Sequence, residues 1–204
     1  MRNIGIIGVG TMGNGIAHVS ALSDFNTVLV DLNETLLQRG LETIEGNLQR
    51  QVKKEIISQS EMDTALGKIK CTTDYNNLSV CDVIIEAATE TQSVKEKIFI
   101  SMDRVCKDEA ILASNTSSIS ITALAAVTLR PEKVIGMHFM NPVPIMKLVE
   151  VVRGKKTNDY TTNKILKIAE EMGKHPVECN DSPGFITNRI LMPMINEAVY
   201  CLME

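Results

Sequence analysis

An isoleucine-rich run that breaks into glycines constrains this chain more than any other stretch. Asn3 to Ile7 reads as a buried strand and Gly8-Val9-Gly10-Thr11-Met12-Gly13 as a tight turn; the apolar pattern then resumes as a helix through Ile16, Ala17 and Val19. In such a turn the first glycine makes the bend. The second removes a side chain so that a pyrophosphate can reach the backbone, and the third lets the helix pack closely on the strand. The unpaired amides and positive dipole end of the helix then face the anion. Thr11 and Met12 lie within this cofactor-binding turn.

Glycine triplets are common in loops, so the reading rests on context. A second apolar run, Thr27-Val28-Leu29-Val30, ends in Asp31. An acid about 20 residues past the fingerprint, at a strand end, accepts hydrogen bonds from the adenosine ribose. A carboxylate there also repels a 2′-phosphate, which gives NAD(H) over NADP(H). Asp31 could instead cap the helix that starts at Asn33-Glu34, or serve both ends.

Composition limits the rest. The 204 residues allow one good core and part of a second domain. A net charge of −4, with 3% aromatic residues and no Trp, gives no basis for a nucleic-acid or membrane surface. Five scattered cysteines without a C-x-x-C pair support neither zinc nor a disulfide framework, and point to a reducing interior. The first strand begins by Asn3, leaving no room for a signal peptide, and no apolar run is of membrane-spanning length. The expectation is a soluble cytoplasmic protein without a metal.

Beyond Asp31 the spacing predicts a helix over 34–57, a short helix from about Ser60, strands over 68–72 and 82–86, and a helix over 93–105. A strand over 110–114, a helix over 120–127 and strands over 133–139 and 147–152 follow. Strands alternating with helices give an α/β fold: a Rossmann-like, doubly wound, mostly parallel sheet covered on both faces. Ligands on such sheets bind past the carboxyl ends of the strands. Those ends are 8–13, Asp31, 87–90, 115–118 and 138–141.

His138 precedes the turn Asn141-Pro142-Val143-Pro144, and Glu150 is the one acid in the apolar run that follows. A hairpin centred on Pro144 sets the two opposite one another, with Cβ atoms roughly 4.5–5.5 Å apart. A buried carboxylate beside a histidine fixes its tautomer and favours its protonated form, as a general base requires. Taken singly, His138 reads as a core histidine bonded to a carbonyl and Glu150 as an edge-strand charge. As a pair at a dinucleotide cleft they read as chemistry. One hydroxyl of Ser114-Asn115-Thr116-Ser117-Ser118 is expected to cap the following helix, leaving another for the cleft. Arg50, Lys53 and Lys54 fit either a solvated helix end or an anion patch.

Five motifs occur in order: Gly8-Val9-Gly10-Thr11-Met12-Gly13, Ser114-Asn115-Thr116-Ser117-Ser118, His138-Phe139-Met140-Asn141-Pro142, Lys147-Leu148-Val149-Glu150 and Pro183-Gly184-Phe185-Ile186-Thr187-Asn188-Arg189. Together they resemble the short-chain 3-hydroxyacyl-CoA dehydrogenase family, closest to its bacterial 3-hydroxybutyryl-CoA branch, across essentially the whole chain. The resemblance implies an NAD(H)-dependent interconversion of 3-hydroxyacyl-CoA (3-hydroxybutyryl-CoA) and 3-oxoacyl-CoA (acetoacetyl-CoA). It implies His138 as general acid/base, Glu150 as its orienting partner, and Ser117 and Asn188 as donors to the reacting oxygen. It assigns Glu90, Lys95 and Asn141 to the cofactor, and Asn47 and Lys54, with Arg50 nearby, to the CoA moiety.

The resemblance also divides the chain into a dinucleotide domain over 1–182 and, over 183–204, the first helix of an all-helical domain that in the family closes the cleft and forms the dimer. Ending at Glu204, the sequence would leave Ile190, Leu191, Met194, Ile195 and Val199 without their usual partners. The expectation is a truncated product that binds NAD but turns over poorly, or an unusual assembly that covers this surface. Two rivals stand beside the dehydrogenase reading. One is a catalytically weak or inactive NAD-binding relative with a structural or redox-sensing role. The other is a hydroxyacid dehydrogenase with a lysine base, which Asn188 and Arg189 disfavour.

Overall fold

A computed structural model describes residues 3–204. Short runs of aliphatic and β-branched residues form β1 (Asn3–Ile7), β2 (Asn26–Val30), β3 (Ile69–Thr72), β4 (Val83–Glu86), β5 (Ile111–Ser114), β6 (Val134–Phe139), β7 (Leu148–Arg153) and β8 (His175–Asn180). They make one sheet in the order β3-β2-β1-β4-β5-β6-β7-β8. All neighbours are parallel except β6 and β7, which pair as an antiparallel hairpin. The strand order turns back between β1 and β4, and the crevice that opens there is where such sheets hold ligands.

Helices α1 (Thr11–Leu22), α2 (Glu34–Lys53), α3 (Gln59–Gly67), α4 (Gln92–Val105), α5 (Ile121–Ala126), α6 (Asp159–Glu171) and α7 (Thr187–Met203) join them, with short 3₁₀ helices at Tyr75–Val80 and Pro131–Lys133. Side chains alternate across the strands, so each face of the sheet has its own core. Ile4, Ile6 and Ile85 pack with Ile16 of α1, Leu48 of α2 and Ile165 of α6. Ile7 and Ile84 pack on the opposite face with Phe99 of α4 and Leu124 of α5. The mostly parallel, doubly wound Rossmann-like sheet read from the sequence is present.

Boundaries differ where capping overrides periodicity. α1 starts at Thr11, directly after the turn, rather than near Ile16. α2 stops at Lys53, short of Ile57, because Glu55 adopts φ 57°. Its amide and that of Ile56 bond back to Val52 and Gln51, a left-handed helix stop made without glycine. Asn33, not Asp31, caps α2, its side chain accepting from Leu36 N. α5 is capped by Ser120, whose hydroxyl accepts from Ala123 N, so the expected cap from within 114–118 is corrected. The carboxylate of Asp181 holds the same end through Ser120 Oγ, Ile121 N and Thr122 N.

α6 and β8 were not foreseen in the sequence. β8 is a mostly exposed edge strand containing Pro176, with no apolar alternation to announce it. α7 has no buried residue. Among the described residues no helix is long and apolar enough to cross a membrane.

Candidate active site

The glycine turn shapes the floor of the main crevice. Gly8 has φ 96°, and a Cβ there would lie 2.7 Å from the carbonyl oxygen of Ala87. A Cβ on Gly13 would lie 1.7 Å from the carbonyl oxygen of Gly8, so only glycine lets α1 start this close to β1. At Gly10 an added Cβ meets nothing within 4 Å, and the backbone there borders open space. That space is a cavity of about 720 Å³ bordered by Gly8, Gly10, Thr11, Met12 and Asp31. Asp31 is fixed on its wall: Oδ2 accepts from Val9 N at 2.7 Å and Oδ1 from Leu32 N at 2.6 Å. The bare glycine backbone, the α1 N-terminus and the acid at the end of β2 fit a dinucleotide's pyrophosphate and ribose.

A second cavity, of about 420 Å³, shares Met12 with the first. It gathers Glu90, Lys95, Ser117, His138, Asn141 and Asn188. In the β6–β7 ladder His138 is paired with Glu150, the register expected of a hairpin centred on Pro144. The His138 Nδ1 lies 2.7 Å from Glu150 Oε2, and both residues are buried. The ring of Phe185 meets the imidazole edge-on, with centroids 5.7 Å apart. Burial pushes the Glu150 carboxyl up, but Thr187 N, His138, the Thr187 hydroxyl and Ile186 N outweigh it and hold the group below the usual glutamate range.

The opposite wall is built on two more carboxylates. Glu90 Oε1 accepts from the Thr116 hydroxyl, from Ser117 N at 2.9 Å and from Ser117 Oγ at 3.3 Å. Burial raises the Glu90 carboxyl, yet the Thr116 hydroxyl, the charge of Lys95 and the Ser117 amide together bring it below its ordinary value. Lys95 is itself buried, with Nζ 3.3 Å from Glu90 and 2.7 and 2.9 Å from the two oxygens of Glu86. Ser114 Oγ and Ala88 N complete the Glu86 shell. Asn188 Nδ2 reaches the Ser117 carbonyl at 3.4 Å, joining the first turn of α7 to this loop.

Asn47, Arg50 and Lys54 lie apart from this group, along a third cavity of about 360 Å³ that Asn141 also borders. The Arg50 guanidinium donates to the Asn47 side chain. Sequence reasoning missed Glu86 and gave Thr187 and Phe185 no role. A charged residue closing the apolar run 83–86 was the available signal for Glu86; nothing local marked the other two. Among the described residues no group of three or more His, Cys, Asp or Glu could hold a metal ion.

A glycine-floored crevice with a histidine–carboxylate pair at one end defines a dinucleotide-dependent oxidoreductase domain. Residues 3–182 match the family described as 3-hydroxyacyl-CoA dehydrogenase, NAD binding domain. The chain is 50% identical over its whole length to a 3-hydroxybutyryl-CoA dehydrogenase of Bradyrhizobium diazoefficiens, covering 70% of that protein. It is 39% identical to a 3-hydroxyadipyl-CoA dehydrogenase of Escherichia coli, covering all of this chain and 43% of the relative. The crystal structure of (S)-3-hydroxybutyryl-CoA dehydrogenase from Ralstonia eutropha superimposes with a TM-score of 0.96 at 48% identity, over 97% of this chain and 70% of that one. The chain belongs to the 3-hydroxyacyl-CoA dehydrogenase family, and its cofactor is NAD.

Proposed function

We propose that this protein interconverts short-chain 3-hydroxyacyl-CoA and 3-oxoacyl-CoA thioesters, with 3-hydroxybutyryl-CoA and acetoacetyl-CoA as the substrate pair. The carrying observation is the 2.7 Å contact between His138 Nδ1 and Glu150 Oε2 at the cavity that adjoins the glycine crevice. A carboxylate can only accept, so Nδ1 bears the proton and neutral His138 presents Nε2 as a base. In oxidation Nε2 takes the proton of the 3-hydroxyl; in reduction the imidazolium returns it to the developing alkoxide. Ser117 and Asn188 border the same cavity; with substrate bound, the Ser117 hydroxyl would turn from Glu90 to that oxygen and Asn188 would offer it the second proton of Nδ2. When bound, NAD supplies the hydride acceptor or donor for C3. Glu90, Lys95 and Asn141 would meet it beyond the glycine turn, and Asn47, Arg50 and Lys54 would meet the CoA moiety.

The same proposal divides the chain into a dinucleotide domain over 1–182 and a helical unit over 183–204. It assigns a homodimer through α7, supported by the exposure of Ile190, Met194, Ile195 and Val199 along that helix. A cytoplasmic place fits the five cysteines, all of them free, and a role in butyrate metabolism fits the likeness to 3-hydroxybutyryl-CoA dehydrogenases. The direct test compares NADH oxidation with acetoacetyl-CoA and with free acetoacetate. Turnover with the thioester alone supports the reading; no turnover with the thioester overturns it.

A further inference from the structure

Glu150 has two oxygens and uses them for different neighbours. Oε2 belongs to His138. Oε1 accepts three hydrogen bonds from the start of α7: Ile186 N at 3.0 Å, Thr187 N at 2.7 Å and Thr187 Oγ1 at 3.0 Å. α7 has no side-chain cap of its own, so a carboxylate from β7, 37 residues earlier in sequence, does that work. Among the described residues the hydroxyl of Thr187 is the one side-chain donor to Oε1.

We propose that Thr187 is a positioning residue of the acid–base centre: its hydroxyl and amide clamp one oxygen of Glu150 so that the other stays aimed at His138. This rests on the dehydrogenase reading above and adds a third member to its proton-handling pair. It also ties the centre to α7, because the turn that clamps Glu150 carries Asn188 against the Ser117 loop.

The clamp acts on the anionic form of the pair. Glu150 stays ionised while His138 Nε2 takes and returns the proton, so the carboxylate acts on that step through Nδ1. Donors on Oε1 stabilise the ionised carboxylate in both states, but more where the imidazole is neutral and the pair is net negative than where it is an ion pair, so removing one makes the imidazole hold its proton somewhat more tightly. From β8 the Cys179 thiol senses Glu150, and burial, then the charges of Glu150, Glu178 and Asp181, push that thiol up to about 11. That thiol is therefore uncharged through the working range. From α7 come the two amides and the hydroxyl, while Arg189 is exposed.

Thr187→Val keeps the shape and both amide bonds but removes the hydroxyl. The expected result is a rise of less than about one unit in the apparent pKa at the imidazole, because Glu150 stays ionised on both sides of that step and keeps both amide donors. The acidic limb of 3-hydroxybutyryl-CoA oxidation and the alkaline limb of acetoacetyl-CoA reduction should both move to higher pH. Thr187→Ser should restore the wild-type limbs. The same shift should appear in the NMR titration of the His138 imidazole, which needs no turnover and so separates a failure here from a failure of the substrate assignment. Thr187→Ala provides a second hydroxyl-free variant should the valine disturb folding. Unmoved limbs and an unmoved imidazole titration in a folded hydroxyl-free variant, or no rescue by serine, overturn the proposal.

Discussion

Lys95 and Glu86 meet through both carboxylate oxygens, at 2.7 and 2.9 Å, with the two side chains 1% and 0% exposed. The pair sits at the carboxyl end of β4, between the dinucleotide crevice and the loop that holds Ser117. Breaking a buried pair by removing one partner costs about 3–5 kcal/mol where the remaining charge is uncompensated, and at most the lower end of that here, because Glu90 still lies 3.3 Å from Lys95. Glu86→Gln is therefore expected to lower stability by that order in urea denaturation. It should also weaken NADH binding, read by fluorescence titration, since Lys95 and Glu90 lose their anchor. Adding Lys95→Met should recover stability without recovering NADH binding. Recovery of both would reduce the pair to a packing role.

Arg50 and Lys54 border a cavity separate from the acid–base centre. If they meet the nucleotide end of CoA, the double variant Arg50→Ala/Lys54→Ala should raise KM for acetoacetyl-CoA about tenfold while leaving kcat near wild type, as loss of uniform binding does. A shortened acetoacetyl thioester that lacks the nucleotide should show no difference between the two proteins. An unchanged KM for the full thioester would return these residues to a solvated helix end.

Asp181 caps α5 from across the fold, and the folded protein holds its carboxyl below the ordinary aspartate value of 3.8. Burial works against this, and the contacts with Thr122, Ser120 and Ile121 outweigh it. A group with a depressed folded pKa contributes stability above its unfolded value and loses it as the pH falls through the folded one. Asp181→Asn should cost about 1 kcal/mol at neutral pH, the usual scale of a lost cap. Thermal melts of variant and wild type should converge as the pH drops below 3.8. A constant gap across that range would mean that the carboxylate charge is not what stabilises α5.

What the sequence makes legible follows from which forces are local. The β1 turn is legible because glycine chemistry is local, and the His138–Glu150 pairing because a hairpin's register follows from its centre. The end of α2 is not legible: Glu55 takes a left-handed conformation that favours glycine, so periodicity alone runs on to Ile57. β8 hides because an exposed edge strand needs no apolar face. Thr187 and Asp181 act on Glu150 and on α5 from 37 and about 60 residues away in sequence, and no spacing rule connects such partners.

The most direct test of the account is one comparison: NADH oxidation by acetoacetyl-CoA with wild type and with His138→Gln, beside NADH affinity measured on the same two samples. Removing a general acid/base costs on the order of 10²–10⁴ in rate. The expected result is a loss of turnover in that range with NADH affinity unchanged. Turnover near that of wild type would contradict the assignment of His138 and, with it, the chemistry proposed for this site.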